Sequence, residues 1–139
     1  MHAFFDPKDG SPKVIIEISG TSVNTKKSIT ALLDTGHNRS LSLPIFDLIE
    51  IGAKISSYGE VTYASGNTAV NYYFSVNVTV DNKTEEVQAS MIENPAANEA
   101  IAGLELFAPY VAIIDFKNQY VIFESEENIR KFAANKEKE

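Results

Sequence analysis

The sequence predicts an all-β protein with one or two short helices, and three stretches carry that prediction. Phe74, Val76, Val78 and Val80 alternate with Ser75, Asn77 and Thr79, the period-2 signature of a half-buried strand. Asp81-Asn82-Lys83 then reads as a hairpin turn, beyond which Val87, Ala89 and Met91 resume the alternation. Near the end, Val111-Ala112-Ile113-Ile114-Asp115 and Tyr120-Val121-Ile122-Phe123 form a further hairpin around Lys117-Asn118.

The remaining elements follow in chain order. Asp6-Pro7 and Gly10-Ser11-Pro12 are turn formers, which makes residues 1–12 an irregular lead-in. Val14-Ile15-Ile16-Glu17-Ile18 is a strand stopped by Gly20. Ile29-Thr30-Ala31-Leu32-Leu33 alternates too little for an exposed strand and reads as buried on both faces. Pro44 suits a first helical position, Phe46, Ile49 and Ala53 share a helical face, and Gly52 stops the helix. Val61 and Tyr63 lead into a tight turn at Ala64-Ser65-Gly66-Asn67, so two hairpins run in succession. Residues 93–98 are a loop, followed by Ile101-Ala102-Gly103 and a short helical stretch that ends near Pro109. Residues 125–139 form a charged helical tail, acids first and bases later, with Ile129, Phe132 and Ala133 on one face. At 139 residues, with no repeat, the expectation is a single domain over 1–139.

Composition removes several function classes. Apolar residues make up 44% and charged residues 22%, enough to build a core. Twelve Lys and Arg against nineteen Asp and Glu give a formal charge of −7, a poor match to a phosphate backbone, so no nucleic-acid partner is expected. The absence of cysteine excludes disulfides, thiol catalysis and thiolate metal sites. His2 and His37 are too few for an imidazole-rich metal centre. No apolar run approaches the roughly 20 residues of a membrane span, and the first residues lack the pattern of a signal peptide. A cytoplasmic protein with no membrane partner is the expectation. The three Asn-x-Ser/Thr matches at Asn38, Asn77 and Asn82 are then coincidental.

Chemistry concentrates in Ala31-Leu32-Leu33-Asp34-Thr35-Gly36, with Ser40 shortly beyond. A bare Asp-Thr-Gly arises by chance in roughly 3% of chains this long, so its setting has to carry the weight. An acid that follows a buried apolar strand and precedes a Gly-directed turn leaves its carboxylate partly desolvated at the sheet's end. Such a group is costly unless hydrogen-bonded or used.

The chain resembles the retroviral-type (retropepsin-like) aspartic proteases, and small prokaryotic single-domain relatives most closely. The resemblance spans residues 13–124. Residues 31–36 match the apolar-Asp-Thr-Gly motif, Ser65-Gly66-Asn67 the tip of the flap hairpin, and Ile101-Ala102-Gly103 the late apolar-apolar-Gly motif. Leu41-Ser42-Leu43-Pro44 is similar to the Leu-x-Leu-Pro of the prokaryotic relatives, and 103–106 with 113–116 to the family's ending. His37, Ala102 and Glu105 depart from the usual residues and bear on substrate preference and pH profile.

The resemblance implies an acid-protease half-barrel with a flap. It also implies an aspartic endopeptidase that uses no metal or other cofactor, with Asp34 catalytic, Thr35 and Gly36 supporting it, and Ser65, Gly66 and Asn67 covering substrate. Two carboxylates are needed and one chain supplies one Asp-Thr-Gly, so a homodimer acting on polypeptide is expected. On the same implication, Thr35 bonds across the dimer and the Gly36 N–H approaches the carboxylate. The alternative is a catalytically silent dimeric peptide-binding module of the same fold. A weaker rival is an unrelated small barrel that happens to contain Asp-Thr-Gly. Asp115 reads as a strand-end residue rather than a second catalytic acid, and His37 as a surface residue.

Overall fold

The computed structural model describes residues 1–92, 94 and 96–136, without the side chains of 132 and 133. Ten strands and three helices follow one another as β1 (His2–Phe5), β2 (Pro12–Gly20), β3 (Lys26–Leu33), β4 (Leu41–Pro44), α1 (Ile45–Glu50), β5 (Lys54–Thr62), β6 (Thr68–Val80), β7 (Lys83–Ile92), β8 (Ala100–Ala102), α2 (Leu104–Phe107), β9 (Tyr110–Asp115), β10 (Tyr120–Ser125) and α3 (Glu126–Lys136).

Eight strands form one sheet in the order β1-β2-β3-β8-β4-β7-β6-β5, and β2 also pairs with β6. That extra pairing, from Glu17↔Thr79 to Gly20↔Val76, curls β2, β3, β8, β4, β7 and β6 into a closed ring. Closure hides the edges that an open sheet would expose. Among the described residues β1 and β5 extend this sheet beyond the ring, while β9 and β10 make a separate two-stranded sheet. The core gathers inward-facing residues from around the ring: Val14, Ile16 and Ile18, Ile29, Ala31 and Leu33, Leu41 and Leu43, Val76 and Val78, Ala89, Ala100 and Ala102. Leu48 and Ile51, together with Phe107 and Val121, complete it. This is the half-barrel expected from the sequence.

Three expectations change. The lead-in over 1–12 is not irregular, because Ala3-Phe4-Phe5 has apolar character enough to pair. His2–Phe5 runs antiparallel to β2, from His2↔Ile15 to Phe5↔Pro12. The turn formers close that hairpin through Asp6 N–H to Ser11 O (2.8 Å) and Gly10 N–H to Asp6 O (2.7 Å). Second, β3 buries one face: Ile29, Ala31 and Leu33 point inward while Ser28 and Thr30 are exposed. Third, α1 turns Leu48 inward and leaves Phe46 and Ile49 exposed at 69% and 66%. In so short a helix two apolar pairs at i,i+3 spacing compete, and Leu48 with Ile51 wins the core.

Most other expectations hold. Gly52, at φ 66°, follows the end of α1, but Pro44 stands one residue earlier than expected: it ends β4 with extended backbone at the N-cap position, and Ile45 is the first helical residue. Asp81 and Asn82, both at positive φ, make the β6–β7 turn. The 93–98 loop and the 137–139 end of the tail lie partly or wholly outside the described residues, as does the face formed by Phe132 and Ala133. Among the described residues no helix is long and apolar enough to cross a membrane.

One buried cation braces the site end of the barrel. Lys13 on β2 is 7% exposed, and its Nζ meets Asp6 at 2.9 Å, Asp9 at 3.1 Å and Glu99 at 2.7 Å. The lysine therefore ties the β1–β2 turn to the residue that precedes β8. Its partners raise its pKa, Glu99 most strongly.

Candidate active site

The site is built where β3 ends against β8. These strands run parallel, Leu33 opposite Ala102, so both segments leave the sheet at the same end. Asp34 N–H donates to Ala102 O (3.0 Å), Gly103 N–H to Ser40 O (2.9 Å) and Leu104 N–H to His37 O (2.8 Å). Three backbone bonds thus lace the 34–40 loop to residues 102–104. The two segments approach so closely that a Cβ on Gly103 would lie 2.0 Å from Arg39 O and 2.5 Å from His37 O. The late apolar-apolar-Gly motif is therefore a steric requirement of the loop that carries Asp34.

Asp34 is half-buried, and its Oδ1 accepts from Gly36 N–H at 2.9 Å. His37 N–H closes the turn on Asp34 O at 3.2 Å. Thr35 and Gly36 are exposed beside it. The Asp34-Thr35-Gly36 turn thus presents a carboxylate held at one oxygen by a backbone donor, with the loop fixed behind it.

Side chains brace the loop from below. Buried Ser40 donates Oγ–H to Glu105 Oε2 at 3.1 Å. His37 is half-buried, its Nε2 3.2 Å from Ser42 Oγ, which lies 2.5 Å from Ser90 Oγ. The imidazole is thus engaged with β4 directly and with β7 only through Ser42. Arg39 stacks on Tyr73, its guanidinium carbon 4.4 Å from the ring centroid.

The hairpin of β5 and β6 carries Ser65, Gly66 and Asn67 at its exposed tip. Tyr63 N–H bonds Asn67 O and Gly66 N–H bonds Tyr63 O, both at 2.8 Å. Asp115 belongs to another part of the molecule. It ends β9 and accepts from Asn118 N–H and Nδ2, each at 2.9 Å; the backbone bond chiefly lowers its pKa. Its carboxylate organises its own turn. Among the described residues no three His, Asp or Glu side chains gather as a metal site.

Sequence reasoning found the Asp34 loop and the Gly103 motif but not the contacts of Arg39, His37 and Glu105. Arg39 and Tyr73 are far apart in sequence, and nothing local marks them as neighbours.

Together, the closed barrel, the hairpin reaching out from it and the laced Asp-Thr-Gly loop define the retropepsin-like acid-protease fold. The solved EIAV protease complexed with the inhibitor HBY-793 is similar to this chain, with a TM-score of 0.50 over 74% of this chain and 90% of that one, at 14% identity. That likeness establishes the fold. No protein-family model and no curated protein matches the sequence.

Proposed function

We propose that the chain is a cytoplasmic aspartic endopeptidase, one domain per chain, that works as a homodimer on polypeptides. The observation that carries this reading is the half-buried Asp34 carboxylate, fixed through Gly36 N–H at a sheet end of the retropepsin-like fold. Each chain supplies one such acid, so the pair forms across a two-fold axis. Held close, the two carboxyls share a single proton, because two like charges there are disfavoured.

The ionised Asp34 takes a proton from water as the water oxygen adds to the scissile carbonyl carbon. The protonated Asp34 hydrogen-bonds the carbonyl oxygen and stabilises its developing charge. The proton then passes to the amide nitrogen as the C–N bond breaks. Thr35 and Gly36 hold the loops, and Ser65, Gly66 and Asn67 cover the substrate, which adds as an extended strand between hairpin and loop.

The test is peptide digestion over a dilution series, with sedimentation on the same samples. Specific activity is expected to fall as the dimer dissociates and to drop by about 10²–10⁴-fold in Asp34→Asn. Constant activity in a demonstrably monomeric range overturns the composite site. A dimer that binds peptides and never cleaves them supports the silent binding module.

A further inference from the structure

We propose that Arg39 reads an acidic side chain of the bound polypeptide, so that the cleft selects peptides carrying Asp or Glu opposite Tyr73. This rests on the polypeptide-binding reading above and names the substrate class for that same cleft.

The geometry begins with Tyr73. It lies on β6, opposite Ser57 at the root of the hairpin, and is 6% exposed. Its ring reaches across to β5, where a Cβ on Gly59 would touch Cε2 at 3.4 Å. The ring is thus a fixed platform at the base of the hairpin. Arg39 reaches the same ring from another segment. Its backbone belongs to the laced loop, with Arg39 O packed over Gly103, and its guanidinium lies over the Tyr73 ring. The cation therefore bridges the loop bearing Asp34 and the root of the hairpin, the two walls between which a polypeptide strand would lie.

Arg39 is exposed, and among the described residues it has no ion pair and no side-chain hydrogen bond. Several other basic side chains of this acidic chain are paired, including Lys13, Lys26 and Lys27. Stacking on an aromatic face orients a guanidinium and leaves its N–H donors free along its edge. Those donors form a fork matched to a carboxylate, which can accept two parallel bonds. A Gln side chain offers one weaker acceptor, and a Lys side chain is repelled. An extended peptide sends alternate side chains to opposite sides, so one position of the bound strand would meet Arg39.

The test uses Asp34→Asn protein, in which binding is read without cleavage. The probes are fluorescein-labelled random peptide pools, each with Glu, Gln or Lys fixed at one position, titrated by anisotropy. At one fixed position the Glu pool is expected to bind about tenfold tighter than the Gln pool at low salt. The preference should shrink toward none at about 1 M salt. Arg39→Gln in the same background should remove the preference, and Arg39→Glu should turn it toward the Lys pool. A merely structural arginine would not produce that inversion. Equal binding of all pools, no binding of any pool, or a preference indifferent to Arg39 overturns the inference. Parent protein that never cleaves, beside an intact Glu preference, overturns the endopeptidase reading and leaves the role of Arg39 standing. Cleavage without any acidic preference does the reverse.

Discussion

The Asp34 loop and the tip of the β5–β6 hairpin face the same proposed substrate, yet they are held in opposite ways. The loop is fixed chiefly by contacts with segments remote in sequence: Ala102 O, the Gly103 and Leu104 N–H groups, Glu105 and Tyr73 all engage it, and nearby Ser42 adds to them. The tip is held by its own turn, Tyr63 to Asn67, and a Cβ placed on Gly66 would find nothing within 4 Å. A reacting carboxylate gains from a position fixed before substrate arrives, whereas a cover must open to admit a polypeptide. On the proposed function, strength of attachment would separate chemistry from access within one small fold.

Asp34→Asn should break the comparison most severely on its functional side. An amide cannot act as the base, so cleavage should fall by about 10²–10⁴-fold. The amide oxygen can still accept from Gly36 N–H, so stability should change by less than about 1 kcal/mol. Peptide assays beside urea denaturation separate the two effects. Full activity in the variant would remove Asp34 from the chemistry.

The next largest effect should come from Gly103→Ala. Its φ of −110° suits any residue, so the whole cost is spatial. The added methyl would meet two carbonyl oxygens, and backbone cannot rotate away as a side chain does. A loss of about 3 kcal/mol or more is expected, read from the denaturation midpoint. A variant with parental stability would show that the loop is not laced as described.

The support behind the loop should respond to acid. Asp6 and Asp9 both have lowered pKa values, Asp6 chiefly through Lys8 N–H and Asp9, at about 2, chiefly through the Ser11 hydroxyl; Lys13 adds to each. A carboxylate whose folded pKa is depressed stabilises the fold above its ordinary value of 3.8 and loses that contribution as pH falls through the folded value. Stability of the parent should therefore decline between about pH 4 and pH 2. Lys13→Met should be less stable than the parent at pH 7, where three carboxylates would face one another without a cation. The gap should narrow on acidification, and some acid sensitivity should persist because the Ser11 bonds remain. A gap that is constant from pH 7 to pH 2, followed by denaturation midpoints, would exclude the ion cluster as the brace.

Legibility in the sequence follows the same division between local and remote. Strands with their own alternation, such as β6 and β7, and turns with their own chemistry, such as Asp81-Asn82, could be read directly. The short strands β1, β4 and β8 could not, because their pairing is decided by distant partners. Leu41-Ser42-Leu43 becomes a strand by lying between β7 and β8, and Ala100–Ala102 by lying between β3 and β4. No local period announces a parallel pairing. At the site, the Asp34 and Gly103 motifs were legible as patterns, but the reason for Gly103 was not, since it is the position of Arg39 O. The inward face of α1 was misread because Phe46 with Ile49 and Leu48 with Ile51 satisfy the same spacing.

The smallest effect should arise at the hairpin tip, where Gly66→Ala tests the other half of the comparison. Gly66 sits at φ 83°, a left-handed conformation that L side chains adopt with strain, in open space. The cost is purely conformational, about 1 kcal/mol. Asn tolerates this region better than Ala because its short polar side chain can bond the local backbone. Gly66→Asn should therefore recover most of the loss, while Gly103→Asn should be no better than Gly103→Ala, because there the obstacle is a neighbouring carbonyl. Denaturation midpoints of the four variants give the answer in one series. Equal penalties for Ala and Asn at position 66 would mean that the tip, too, is packed against a neighbour, and the contrast between anchored loop and free-standing cover would fall.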